Sequence, residues 1–277
     1  ADSPNKDFKI FQKRVNGLEY SIDHFNGKWF IRTNKDKATN FKVMTCSESN
    51  TGSENWVDYI IHREDVLLED IDLFNNHLVI TERKTGLRRI EIRPWKGGNS
   101  HYIEFEDEAY SLYSSTNLET NTNKFRFSYS SMTTPNSVIE YDMNSKEKII
   151  LKETEVLGGK FDKNNYVSLR VWAPARDGKK IPISLVYRKD MYKNGENPLL
   201  LYGYGSYGII DDPTFDKYTM TLVDRGYLYC IANMRGSKFY GPKWYHEGKF
   251  LKKKNTSLDY LLANQEIKPW LAAISAI

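Results

Sequence analysis

The sequence predicts a chain that changes class partway along. Residues 1–155 read as all-β, with a repeat that suits about three propeller blades, and residues 156–277 as the opening of an α/β sheet. Three observations predict this. The first half is a series of short strands between turns, in a chain whose aromatic share of 14% favours pleated structure. A weak repeat recurs with a period near fifty residues, room for about four strands, which suits propeller blades. Past residue 160 the strands become more apolar, and one runs into a turn carrying Gly203, Gly205 and Gly208.

In chain order, residues 18–22, 29–32, 41–45, 78–81, 89–92, 125–129, 138–141 and 148–151 read as strands. Asn26-Gly27 and Asn144-Ser145 stand where hairpin turns belong. FNGKWFIRT from Phe25 aligns with FNNHLVITE from Phe74, which sets Asn26 over Asn75, Phe30 over Val79 and Ile31 over Ile80. KFRFSYS from Lys124 lies roughly one further period on. Chance similarity between all-β segments is the competing explanation, and the repeat alone leaves the two balanced. The boundary falls near residues 152–165. Beyond it, residues 166–172, 181–187, 198–204 and 227–232 read as strands, and 215–223 as a short helix ended near Gly226. Thr256 and Asp259 form a candidate N-cap pair for a further helix, with Leu258, Leu261 and Leu262 on one face.

The stretch PLLLYGYGSYG, residues 198–208, carries the most chemistry. Leu199, Leu200 and Leu201 form a continuous apolar run, as a strand buried on both faces would. Tyr204 follows at the strand's C-terminal end, where open α/β sheets bind ligands. The three glycines also satisfy the dinucleotide fingerprint G-x-G-x-x-G, which requires a helix to begin at the loop. Here Asp212-Pro213 follows, a turn signal, and Asp224 precedes the next strand instead of ending it. The dinucleotide reading is therefore set aside.

Composition narrows the classes further. The net charge of +4 is mixed along the chain, and its tight basic run, Lys252-Lys253-Lys254, reads as solvated surface, so no nucleic-acid partner is expected. No apolar stretch is long enough to span a bilayer, and residues 1–11 lack a signal-peptide core. Cys46 and Cys230 read as two buried thiols, which points to a reducing compartment, the cytoplasm. His246-Glu247 fails the zinc pattern because Phe250 stands where the second histidine is needed. No metal and no cofactor are implied.

Several long runs are similar to one family: LLLYGYGSYG at 199–208, DRGYLYCIANMRG at 224–236 and WYHEGKFLKKKNTSLDY at 244–260, joined by RFSYSSMTTPNSVIEYDM at 126–143 and ARDGKKIPISLVY at 175–187. On these the chain resembles the prolyl oligopeptidase family of serine peptidases, its oligopeptidase B branch above all, up to about Leu262. The resemblance implies a β-propeller joined to an α/β-hydrolase domain, with the active site between them. It implies hydrolysis of short peptides, after Lys or Arg, with basic peptides as substrates. Tyr204 matches the tyrosine whose hydroxyl binds the tetrahedral oxyanion, a donor typically worth roughly 3–4 kcal/mol. Packing at a strand end is its alternative role. Tyr207 matches a position lining the pocket for the residue before the scissile bond, and Asp212 an acid near the second subsite. Thr214 stands where that branch has a companion acid, which puts a preference for paired basic residues in doubt.

The family's nucleophile sits in a glycine-serine elbow, with the acid and histidine later in the chain. These 277 residues contain no G-x-S-x-G, and residues 263–277 depart from the family pattern. The chain accordingly reads as an internal or truncated piece, expected to be inactive alone. A non-catalytic propeller module that binds a peptide or protein is the competing function. Arg235-Gly236 matches a family turn, but Ser237-Lys238-Phe239 departs from it, so Arg235 is read as structural.

Overall fold

Short strands joined by tight turns pair most readily with their sequence neighbours, and three sheets form in this way. The computed structural model describes residue 5 and residues 7–159, 161–193 and 196–274. Strands β1 (Tyr20–Phe25), β2 (Lys28–Thr33), β3 (Lys42–Ser47) and β4 (Val57–Ile60) make the first four-stranded sheet. β5 (Val66–Leu73), β6 (His77–Lys84), β7 (Leu87–Pro94) and β8 (His101–Tyr102) make the second, and β9 (Tyr110–Ser114), β10 (Lys124–Ser131), β11 (Ser137–Asp142) and β12 (Lys148–Glu153) the third. Every pairing within them is antiparallel, as in propeller blades. The repeat falls on equivalent places: β2, β6 and β10 are each the second strand of their sheet. Asn26 and Gly27 take φ of 48° and 72°, the left-handed pair that a two-residue hairpin turn requires.

Apolar side chains glue the sheets face to face. Phe30 and Val43 of the first pack with Leu68, Leu78 and Ile80 of the second. Phe74, Val79 and Ile92 of the second pack with Phe125, Phe127 and Ile139 of the third. β4, β5, β8 and β9 are not among the strands singled out from the sequence. In β5 a register shift between Leu68 and Asp70 interrupts the alternation, and the strand carries Glu69, Asp70 and Asp72.

The second part is a sheet of order β13-β14-β16-β15, built from β13 (Tyr166–Pro174), β14 (Lys180–Arg188), β15 (Leu199–Tyr202) and β16 (Leu228–Ala232). β15 and β16 are parallel and joined through helix α1 (Lys217–Val223). Helices α2 (Pro242–His246) and α3 (Lys254–Ile274) follow. Ala263 of α3 packs on one sheet face with Ile183, Leu185 and Cys230; Met220 and Val223 of α1 pack on the other with Val186 and Ile231. Asp216 caps α1 by accepting from the backbone N–H groups of Tyr218 and Thr219.

Three expectations are corrected here. Leu199–Leu201 is not buried on both faces: among the described residues β15 pairs with β16 alone, and Leu200 is 40% exposed. Thr256 and Asp259 do not cap a helix. α3 begins before them, and both side chains are buried against the residue 235 loop, Thr256 Oγ1 donating to the Arg235 carbonyl at 2.6 Å. Leu261 is exposed, so the inward face of α3 runs through Thr256, Asp259 and Ala263 instead. Of the divergent segment 263–277, residues 275–277 lie outside the described residues.

Candidate active site

Tyr204 and Tyr207 stand on a glycine-rich loop at the C-terminal end of β15. No helix begins there, which disposes of the dinucleotide reading: the chain stays non-helical until Lys217. Asp224 accepts from the Tyr166 hydroxyl at 2.6 Å and from Arg188, a structural role. The glycines let two loops touch. Gly205 (φ 60°) and Gly236 (φ 100°) lie so close that a Cβ on Gly236 would strike the Gly205 carbonyl. Gly208 N–H donates to the Gly236 carbonyl at 2.9 Å, and Lys238 N–H to the Gly208 carbonyl at 3.2 Å.

Side chains fix the same loop. Asp211 accepts from the Tyr204 N–H at 3.2 Å, and its own backbone is held by both ends of the buried Asn233 amide at 3.0 and 2.9 Å. Burial pushes the Asp211 carboxyl up, and the neighbouring Asp212 adds to this. Lys253 Nζ donates to the Gly205 carbonyl at 2.6 Å and to Ser206 Oγ. Behind the loop, Arg235 donates through Nε to Asp259 at 2.8 Å and through Nη1 to Asp177 at 2.6 Å. Asp259 is fully buried, so this pair locks α3 to the loop. Arg235 is thus the ion-pair residue the sequence suggested.

Tyr204 is 44% exposed and Tyr207 81% exposed, with ring centroids 6.5 Å apart. Neither hydroxyl makes a hydrogen bond among the described residues, so both phenols are free to donate outward. Tyr207 holds a left-handed φ of 55°, uncommon for an aromatic residue.

Asp212 lies apart from the two tyrosines in chemistry. Its carboxylate accepts from Arg83 Nη1 at 3.0 Å and from the Tyr113 hydroxyl at 2.7 Å, both from the propeller sheets. Arg83 also binds Glu69 at 2.9 Å, and Glu69 binds Arg88. Burial works to raise the Glu69 carboxyl, but the charges of Arg83 and Arg88 outweigh it and hold it below its ordinary range. This network spans a cavity of about 600 Å³ whose wall includes Arg32, Thr81, Arg83 and Tyr113 on one side and Gly208, Ile210 and Asp212 on the other. The loop therefore enters the cavity wall just past Tyr207. The sequence reading missed Arg83, Glu69 and Tyr113, which no local motif marks. It also folded Lys253 into a run of three surface lysines.

A family model described as the prolyl oligopeptidase N-terminal beta-propeller domain matches residues 1–154, and one described as the prolyl oligopeptidase family matches residues 213–269. The chain belongs to the prolyl oligopeptidase family. Its architecture is accordingly that of propeller blades followed by the start of an α/β-hydrolase domain. It is 42% identical over 255 residues to dipeptidyl aminopeptidase BI of Pseudoxanthomonas mexicana, covering 92% of this chain and 35% of that protein. It is 30% identical to protease 2 of Moraxella lacunata, covering 96% of this chain and 38% of the relative. Oligopeptidase B from Leishmania major has a similar structure, with TM-score 0.86 and 32% identity over 95% of this chain and 38% of that one. The chain thus spans little more than a third of the length of these relatives.

Proposed function

We propose that these residues are part of a serine oligopeptidase that hydrolyses short peptides after Lys or Arg, with Tyr204 donating to the oxyanion. The observation that carries the proposal is the free, outward phenol of Tyr204 on a loop fixed by Asp211 and Lys253 at the C-terminal end of β15. Charge develops on the scissile carbonyl oxygen only in the transition state, so a pre-set donor lowers the barrier without tightening substrate binding. Tyr207, the more exposed ring, lines the pocket for the residue preceding the cleaved bond. Asp212 serves the second subsite. Since Arg83 and Tyr113 already engage it, a basic side chain there displaces one of them. The unbonded, buried Cys46 and Cys230 support a cytoplasmic setting.

The test uses the full-length polypeptide that carries these residues, with an Arg-containing reporter peptide. Tyr204→Phe is expected to lower kcat by ~10²–10³ with little change in KM. Absence of hydrolysis, or a wild-type rate in Tyr204→Phe, overturns the proposal. The name of the Pseudoxanthomonas relative favours a second reading, release of N-terminal dipeptides. Mass spectrometry of the products separates the two, since internal cleavage yields fragments that stepwise dipeptide removal cannot.

A further inference from the structure

We infer that Lys253 is a positioning residue for Tyr204, acting through the backbone of the loop and not through the substrate. This rests on the oxyanion role proposed above. Gly205 follows Tyr204 directly, and a glycine at φ 60° has neither a side chain nor a preferred basin to keep it there. What holds it is external. Thr256 and Gly236 crowd it on the inner side. From the outer side, the Lys253 ammonium donates to its carbonyl at 2.6 Å and to Ser206 Oγ. A charged donor on a backbone carbonyl is among the stronger hydrogen bonds available. It fixes the plane of the peptide that links Gly205 to Ser206.

The other anchors do not duplicate it. Asp211 holds the Tyr204 N–H, on the N-terminal side of the ring. The pairing of Gly208 with the residue 236 loop holds the far end of the turn. Lys253 holds the middle, between the two tyrosines. It stands one residue before α3, whose Asp259 binds Arg235 and whose Thr256 binds the Arg235 carbonyl. One rigid helix start therefore fixes both loops relative to each other. The Lys253 side chain makes no ion pair among the described residues, so its charge is committed to these two oxygens.

The experiment measures kcat and KM of the full-length peptidase on the reporter peptide for Lys253→Met, Tyr204→Phe and the double variant, with Tm for each. Lys253→Met is expected to lower kcat ~10- to 100-fold at nearly constant KM, since small misplacements of a positioned group cost that much. In the Tyr204→Phe background the same substitution is expected to cost nothing further. Lys253→Arg, which keeps a charged donor, is expected to retain more kcat than Lys253→Met, and it carries the comparison if the methionine variant fails to fold. A Tm loss with unchanged kcat overturns the inference and leaves Lys253 structural. A kcat loss of equal size in the Tyr204→Phe background overturns it too, while the oxyanion role survives. A wild-type rate in Tyr204→Phe brings down that role and this inference together.

Discussion

Burial pushes the carboxyl of Asp72, on β5, up to about 6; the hydrogen bond from Ser114 Oγ works against this, and the charges of Asp70 and Asp23 add to it. The folded state then holds a proton on Asp72 that the unfolded chain, with an ordinary aspartate pKa of ~3.9, has already released. Stability contributed at this position is therefore highest at acid pH and falls as pH rises from about 4 through about 6. The shift corresponds to roughly 3 kcal/mol at neutral pH. Asp72→Asn should raise stability by about 1–3 kcal/mol at pH 7.5 and by much less at pH 4, read as urea midpoints at the two values. Equal gains at both would mean that the carboxylate carries no burial penalty. Single residues were unevenly legible. The loop around Tyr204 is legible through its flanking glycines, which the structure sets against the residue 236 loop. Lys253 looks in sequence like any exposed lysine, because the carbonyl it binds lies 48 positions away.

At the scale of elements, β6 meets the loop after β15 through Arg83 and Asp212, 129 positions apart in sequence. Both side chains are almost fully buried, at 2% and 7% exposure, so the pair joins propeller to hydrolase away from solvent. Removing one partner of such a pair leaves the other charge stranded, a loss of about 3–5 kcal/mol. Arg83→Met should cost toward the lower end of that range, because Glu69 retains Arg88, and Asp212 retains the Tyr113 hydroxyl and a looser pairing with Arg88 at 3.8 Å. Arg83→Met with Asp212→Asn should cost less than the two single losses added, with a coupling of about 1–3 kcal/mol in a double-mutant cycle. Strict additivity in urea unfolding would show that the two residues do not act as a pair. Elements whose apolar residues alternate or run together, such as β2, β7 and β10, could be read directly. β5 could not, because a bulge shifts its register and its acids break the apolar pattern. The start of α3 was misread because Thr256 and Asp259 have the residue types of a cap but spend their hydrogen bonds on another loop.

For the whole molecule, the change in strand character distinguishes two kinds of sheet, whereas the repeat alone leaves a propeller and chance similarity balanced, and the family resemblance is what names the blades and the hydrolase sheet. What composition could not reveal is which edges stay bare. Among the described residues β12 pairs only with β11, and its Ile149, Ile150 and Leu151 are 42%, 60% and 47% exposed. At the other end β15 pairs, among the described residues, only with β16, with Leu200 and Tyr202 at 40% and 47%. Each is an outermost strand with unpaired backbone groups and apolar side chains, the combination that templates pairing with another chain. Charges do little to blunt β12: Lys148, Lys152 and Glu153 flank the apolar run without interrupting it. Expressed as these 277 residues, the polypeptide should self-associate at tens of micromolar, a range in which exposed edges drive aggregation. Placing a charge in the middle of each edge, Ile150→Lys with Leu200→Lys, should shift the population toward monomer without altering the interior, since both side chains already face outward. Size-exclusion chromatography with light scattering distinguishes the outcomes. A parent chain that is monomeric across that range would mean these strands are shielded in solution, and an equal degree of association in the doubly charged variant would move the contact to another face.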